Sequence, residues 1–404
     1  MNGPAFLSDA DKRRLRKEKD RSMRIEVAKH LSAGTTGSGS QSMTISAEVY
    51  RDPARWAAEK KGVFLQQPLL ACLSNDLPNA GDRYVFDAAG PSILLVRNRE
   101  GRVNAFLNMC AHRAARLVDE VGSRKSITCP FHGWTFDLNG ELLDVPRREC
   151  FDGADLATRK LVRVPVAEWN GMIFVKATPG EAPINVEEFL GEIAVPMALL
   201  ELDKAWPVSI GRLDARCNWK YVLDTYFESY HVPFLHTKTI MPNFDGSVGT
   251  LTHYGRHHEF GFATNQFQHA IKTTNPESDS LEGSTVRFLV VFPNISLNFF
   301  PVSATERAVN IHRIFPGDTV DQAFSLMTTY KLGSPVTEDE REKYTQTHDM
   351  VMNIVGSEDY EIARKASVNL RHAPPGFRFA YGSNEAIVQE IQKEIASAAG
   401  MPLD

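Results

Sequence analysis

Long apolar runs, cysteine and surplus positive charge are all scarce in this 404-residue chain. No stretch reaches the roughly 18 apolar residues that a membrane-crossing helix needs. The run from Phe288 to Phe300 is broken by Pro293 and Asn294 and reads as strands. A membrane span is therefore excluded. Lys and Arg number 45 against 50 Asp and Glu, and a net charge of −5 argues against a general nucleic-acid binder, which needs a basic surface. The five cysteines, Cys72, Cys110, Cys129, Cys150 and Cys217, are too few and too odd in number for a disulfide scaffold. The opening residues are basic (Lys12, Arg13, Arg14, Arg16, Lys17) without an apolar core, and Asp11, Glu18 and Asp20 do not suit an acid-poor transit segment. A cytoplasmic, reducing setting is the expectation. There a cysteine serves as metal ligand, nucleophile or small core residue.

What is present begins with a length that allows two or three domains at roughly 150 residues each. Residues 1–45 read as an arm, a charged and mildly helical stretch followed by the flexible tract from Gly34 to Ser42. It suits a solvated tail or an arm packed across a subunit interface. Glu48–Val63 reads as a short helix. Short β-branched and aromatic runs follow (Tyr84–Phe86, Ser92–Arg97, Val103–Leu107, Thr135–Asp137, Met172–Val175), with turn signals at Gly81-Asp82, Asn139-Gly140 and Asn170-Gly171. They predict a small all-β domain over 46–180. Residues 181–404 change texture: helical segments at 186–202, 219–235, 338–355 and 384–399 flank strands at 286–300, 307–315 and 323–331. The fold class is α+β, an N-terminal all-β domain followed by a helix-covered antiparallel sheet.

Two constellations carry chemistry. In the first, Cys110-Ala-His112 is followed after 16 residues by Cys129-Pro-Phe-His132-Gly-Trp134. Thiolates suit iron–sulfur clusters or zinc, and imidazoles replace two thiolates at one metal. Pro130 and Gly133 fit tight loops around a bound group. A structural zinc site usually spaces its ligands C-x2–4-C and H-x3–5-H. One Cys and one His per loop instead suits a [2Fe–2S] cluster with cysteines on one iron and histidines on the other. Trp134 shields such a site or simply fills a core.

The second constellation is Asp224-Thr-Tyr-Phe-Glu228-Ser-Tyr-His231-Val-Pro-Phe-Leu-His236. On a helix Asp224, Glu228 and His231 fall within about 60° of one another, whereas His236 lies about 140° from His231. Both histidines reach one ion only if the helix breaks between them, and Pro233 marks the expected break. A carboxylate di-iron site needs a second Glu-x-x-His, and His231 alone among the 12 histidines has an acid three residues before it. A 2-His-1-carboxylate iron site with open positions for O2 is the better reading. Asp224 either tunes that site or closes an internal hydrogen-bond network. Phe288, Val290, Phe292 and Asn294, with Ile311 and Ile314, are candidates for an apolar substrate cavity.

Both motifs resemble those of the Rieske non-haem iron oxygenases of the aromatic ring-hydroxylating type, over most of residues 46–400. The Rieske motif matches Cys110-Ala-His-Arg-Ala-Ala and Cys129-Pro-Phe-His-Gly-Trp. The resemblance implies an N-terminal Rieske [2Fe–2S] domain over 46–180 and a catalytic mononuclear iron domain over 181–404. It implies Cys110, His112, Cys129 and His132 as cluster ligands, and His231 and His236 as Fe(II) ligands. Asp359, in Val355-Gly-Ser-Glu358-Asp359-Tyr-Glu361, is implied as the third ligand, with Glu358 the rival; Glu361 reads as a solvated helix face. Glu228 stands where the family bridges a neighbouring subunit's Rieske histidine to the iron ligand; many members have Asp there. Further implications are an α (terminal oxygenase) subunit in a homotrimer, electrons from NAD(P)H through a reductase and/or ferredoxin, and O2-dependent oxidation of a small aromatic or apolar substrate. Dihydroxylation, monohydroxylation and N- or O-dealkylation share this equipment. An electron-transfer protein without oxygenase activity is the alternative. Arg113, Arg116, Arg124 and Lys125 offer an acidic ferredoxin a basic surface, or are ordinary solvated charges.

Overall fold

The computed structural model describes residues 7–302 and 306–404. The chain divides into two compact units, Lys60–Phe189 with Leu202–Lys204, and the remainder up to Glu59, Leu190–Glu201 and Ala205–Asp404. No helix among the described residues is long and apolar enough to cross a membrane.

The smaller unit is built from three antiparallel sheets, as the turn-punctuated runs predict. One orders Val103–Leu107, Ile93–Arg97, Asp82–Phe86 and Gly122–Ser123; a second orders Val166–Trp169, Met172–Val175 and Leu69–Leu73; the third orders Ile127–Thr128, Thr135–Phe136 and Leu142–Asp144. Asn170 and Gly171 both take positive φ, +44° and +79°, which a two-residue hairpin between right-twisted strands requires. Phe106, Trp134, Phe136 and Leu94 fill the core together with Cys110 and Cys129.

The larger unit centres on a seven-stranded antiparallel sheet: β1 (Ala205–Ala215), β2 (Phe244–Tyr254), β3 (His257–Thr264), β4 (Thr285–Val291), β5 (Ile295–Pro301), β6 (Arg307–Pro316) and β7 (Ala323–Leu332). Their spatial order is β1-β7-β6-β5-β4-β3-β2. The N-terminal segment does not remain a free arm. Asp9–Ala33 forms a helix, α1, capped by Ser8 and ended by Gly34 in the left-handed region. Met23 and Val27 pack with Ala263, Phe267 and Leu281, so α1 covers β2, β3 and β4. The first boundary also differs from the expected one. Met43–Ser46 pairs with Arg378–Tyr381, and helix α2 (Pro53–Glu59) packs on the C-terminal helix, so residues 46–59 fold with the larger unit.

The other face of the sheet carries α3 (Trp219–Phe227), α4 (Val232–Leu235), α5 (Glu338–Ile354) and α6 (Tyr360–Leu370), and α7 (Ala386–Ala399) packs on α2 and α3. Helix α5 opens with a capping box in which Thr337 and Glu340 satisfy each other's amides. Between α5 and α6 the chain makes one π-helical turn, Val355–Asp359. The expected helix over 186–202 is broken into short turns, with Val186–Leu190 and Ala194–Ala198 its α-helical parts.

Two candidate metal centres

Cys110 and Cys129 head two loops of the same backbone form. The Cys110 N–H donates to Ala115 O (2.8 Å) and Ala114 N–H returns to Cys110 O (3.0 Å). The Cys129 N–H donates to Trp134 O (2.8 Å) and Gly133 N–H returns to Cys129 O (3.0 Å). The residue four after each cysteine is left-handed, Ala114 at φ +60° and Gly133 at φ +73°. Glycine suits the second loop, where a Cβ would stand 3.1 Å from the Pro146 ring. The two imidazoles meet edge to face at 4.8 Å, and His112 lies flat on Trp134 at 4.7 Å and 6°. Trp134 therefore both fills the core and fixes the plane of a candidate ligand.

Both cysteines are buried and free of disulfides. Burial, and the nearby Cys129 sulfur, push the Cys110 thiol up, a penalty that a bound cation removes. The Nδ1 of His112 is buried with no hydrogen-bond partner. A donor set of two sulfurs and two imidazoles, one with a buried lone pair unused, fits a [2Fe–2S] cluster of mixed ligation. Of the basic residues nearby, Arg116 is paired with Asp87 and Asp119, and Arg113 sits over the exposed Phe131 ring.

At the second constellation the structure corrects the expected helix. Helix α3 stops at Phe227, Glu228 is extended (φ −143°, ψ 163°), and a new helix, α4, starts after His231 with Pro233 in its first turn. Proline is tolerated there because a first-turn amide has no partner to lose. The break falls earlier than Pro233, and across it Glu228 Oε2 accepts the His231 backbone N–H (3.1 Å). Asp224, Glu228 and His231 thus do not share one helix face.

Carboxylates orient both histidines. Glu228 Oε1 bonds His231 Nδ1, leaving His231 Nε2 3.4 Å from Asp359 Oδ1. Glu358 Oε2 bonds His236 Nδ1 at 2.6 Å and accepts the Thr239 hydroxyl at 3.0 Å, leaving His236 Nε2 3.3 Å from the same Asp359 oxygen. One ligand atom from each of His231, His236 and Asp359 lies within 4.8 Å of the others, the only such group of three among the described residues. The π turn seats consecutive carboxylates on opposite sides of His236, Glu358 behind it and Asp359 in front. Glu361 instead pairs with Arg364 and Lys365 on the exposed face.

Burial lowers His231, but bonds from Asp359 and Glu228 outweigh it and raise it to about 10. Burial raises Asp359, but bonds from both histidines prevail and hold it low. Three carboxylates around two imidazoles leave a negative surplus that suits a divalent cation, and the 2-His-1-carboxylate set fits Fe(II) with positions left open. Asp224 lies outside this set. Burial pushes its carboxyl up to about 7, against bonds from the Tyr50 hydroxyl and from Gln392 Nε2 at 3.3 Å. It closes a buried network that also includes Tyr381.

A cavity opens over His231, His236 and Asp359. Phe244, Phe260, Phe262, Phe288 and Phe300 form much of its wall, with Phe260 and Phe288 stacked at 4.7 Å. Of the residues expected to line it, Phe288 does. Val290, Phe292, Ile311 and Ile314 are core, and Asn294 is held at the β4–β5 turn by a bond to Ile314 O (2.8 Å). Asn298 and His312 supply polar groups that sequence reading missed. The alternation Phe260-Gly-Phe262 was a visible strand signal; His312 carried none. Burial holds the His312 imidazole neutral, its pKa lowered to about 3.

Two family models match the chain: a Rieske [2Fe–2S] domain over residues 67–167 and a ring-hydroxylating alpha subunit catalytic domain over 202–400. The carnitine monooxygenase oxygenase subunit of Escherichia coli K12 is 32% identical over 235 residues, 55% of this chain and 60% of that protein. The glycine betaine monooxygenase oxygenase subunit of Chromohalobacter salexigens is 28% identical over 47% of this chain and 42% of its own length. The biphenyl dioxygenase subunit alpha of Metapseudomonas furukawaii is 28% identical over 46% and 43%. The chain thus spans about half the length of the curated relatives it matches. Among solved structures, a quaternary ammonium Rieske monooxygenase superposes with TM-score 0.74 at 19% identity, covering 88% of this chain and 95% of that one. Naphthalene 1,2-dioxygenase from Rhodococcus superposes with TM-score 0.70 at 18% identity, covering 94% and 98%. At such identities the likeness is one of fold.

Proposed function

Because a chain that joins a Rieske domain to a ring-hydroxylating alpha-subunit catalytic domain belongs to the Rieske non-haem iron oxygenases, we propose that this one is a terminal oxygenase component acting on a small, uncharged, ring-containing substrate. The observation that carries the proposal is the convergence of His231, His236 and Asp359 beneath a phenylalanine-walled cavity. Cys110 and Cys129 would hold one iron of the cluster and His112 and His132 the other; His231, His236 and Asp359 would hold Fe(II). When bound, the cluster supplies electrons one at a time and the Fe(II) supplies O2 activation. The residues around them do the positioning. Glu228 and Glu358 fix the two imidazoles as neutral Nε2 donors, and Trp134 holds the plane of His112. Electrons reach the chain from NAD(P)H through a reductase, with or without a ferredoxin, and the working assembly is a homotrimer in which Glu228 links one copy's iron site to a neighbour's Rieske loop.

The cavity wall supports the substrate class. Among the described residues that line it, none is Lys or Arg. A substrate carboxylate would enter with no Lys or Arg to pair it, beside Glu228 and Asp359, and that desolvation is costly. A second reading takes the five phenylalanines as walls for a quaternary ammonium group through cation–π contact, the compound class named for the solved monooxygenase that superposes on this chain. The test is O2 uptake with product identification, on Fe(II)-reconstituted protein with NADH and a generic reductase. Uncharged bicyclic aromatics should be oxygenated fastest and carnitine slowest. Fastest turnover of choline would favour the second reading, and fastest turnover of carnitine would overturn the charge argument.

A further inference from the structure

The register of the sheet sets Phe260, Phe288, Asn298, Asn310 and Thr329 side by side across β3 to β7, on one face. The polar half of this row continues onto α5. Thr329 Oγ1 lies 2.6 Å from Asn310 Oδ1 and 2.9 Å from His348 Nδ1. A threonine hydroxyl has one proton. It goes to Asn310 Oδ1, which can only accept, so His348 Nδ1–H donates to Thr329. With its oxygen engaged, Asn310 has Nδ2 left over, and that Nδ2 is buried without a partner. Asn298, directly opposite on β5, is 2% exposed, and its Oδ1 is also buried without a partner.

A lone donor and a lone acceptor on directly paired residues satisfy each other once the Asn298 amide turns Oδ1 to Asn310. Buried amides rarely stay unpaired, so this pairing sets the amide's direction. The Asn298 NH2 is then the group left for the cavity that Asn298 lines.

We propose that Asn298 is a specificity-determining residue. The ladder His348–Thr329–Asn310 fixes its amide as a donor, so the favoured substrate carries a hydrogen-bond acceptor oxygen, a ketone or ether, on an otherwise apolar ring body. This rests on the oxygenase reading of the cavity and narrows its substrate class. Asn310 is a positioning residue, since it does not line the cavity and acts only through Asn298.

Calorimetric titration of the Fe(II)-reconstituted protein with three bicyclic probes of similar size tests this: 1-indanone (acceptor), indole (donor) and indane (neither). A neutral hydrogen bond corresponds to roughly 2- to 12-fold in affinity, so 1-indanone should bind tighter than indane by about that factor, and indole should not. Asn298→Leu should bring 1-indanone to the level of indane and leave indane within about two-fold, where a merely structural role would weaken all three together. Asn310→Leu should free the amide to flip and let indole gain on indane, an effect that loss of packing does not produce. Thermal melts check folding, and Asn298→Ala replaces the leucine variant if that one does not fold. Equal binding of 1-indanone and indane, preference for indole by the unmodified protein, or parallel loss of all three probes overturns the assignment. Exclusion of all three probes would overturn the ring-substrate reading itself and the assignment with it, so the two failures are distinct.

Discussion

At Asp359 a single carboxylate oxygen faces the Nε2 atoms of both His231 and His236, while the neighbouring Glu358 grips His236 from behind. The two acids therefore differ in what their loss does. Asp359→Ala leaves two neutral donors and should abolish mononuclear iron while sparing the cluster's absorbance. Glu358→Gln keeps three donors but loosens one imidazole, and should weaken iron binding by roughly 10- to 100-fold. Iron-to-sulfide stoichiometry and EPR of the reduced cluster separate the outcomes. Full iron occupancy in Asp359→Ala would transfer the ligand role to Glu358. Sequence alone left these two residues as rivals, because consecutive carboxylates on a helix carry equal chemistry. What separates them is the π turn of Val355–Asp359, and such a turn leaves no mark in local composition.

Among the elements, those set by strong local pattern were legible: Val103–Leu107 and Met172–Val175 match the observed strands, and the Asn170-Gly171 hairpin forms. Strands β1, β2 and β3 were not. Phe244–Tyr254 contains Gly246 and Gly249 and few β-branched residues, so its strand state comes from pairing with β3 rather than from propensity. The α3–α4 break is expected from helix geometry, but it falls before His231 rather than at Pro233, at the extended Glu228. A junction invisible to pattern lies where α2 meets α3. Glu59 is wholly buried, accepting from Arg55 Nε (3.1 Å), Trp219 Nε1 (2.9 Å) and the equally buried Lys220 Nζ. Burial lowers Lys220 and outweighs the opposing pull of Glu59. Glu59→Gln would take the carboxylate from the buried Arg55 and Lys220, and should cost about 3–5 kcal/mol by denaturant midpoint. A loss below about 1 kcal/mol, the size expected of a surface pair, would show that the ions are hydrated.

For the whole molecule, the two-domain plan was readable because each metal motif demands its own scaffold, whereas the boundary at residue 45 was not. Met43–Ser46 finds its partner strand near the opposite end of the chain, and no local signal announces such a pairing. The proposed assembly rests on Glu228, which holds His231 from the side away from Asp359. If Glu228 links the iron site of one copy to the Rieske loop of another, a copy lacking a cluster ligand and a copy lacking an iron ligand should rescue each other. Cys129→Ser and Asp359→Ala proteins should each be inactive alone. Co-expressed, they should regain a measurable share of O2-coupled product formation, because the intact Rieske loop of the Asp359→Ala copy serves the intact iron site of the Cys129→Ser copy. Were the working pair of sites within one chain, the mixture would stay inactive, since neither chain holds both. Adding Glu228→Gln decides which copy's carboxylate matters. Placed in the Cys129→Ser chain, beside the only working His231, it should abolish rescue; placed in the Asp359→Ala chain, it should change nothing. Equal loss from either placement would make Glu228 a general support of the fold rather than a link between copies.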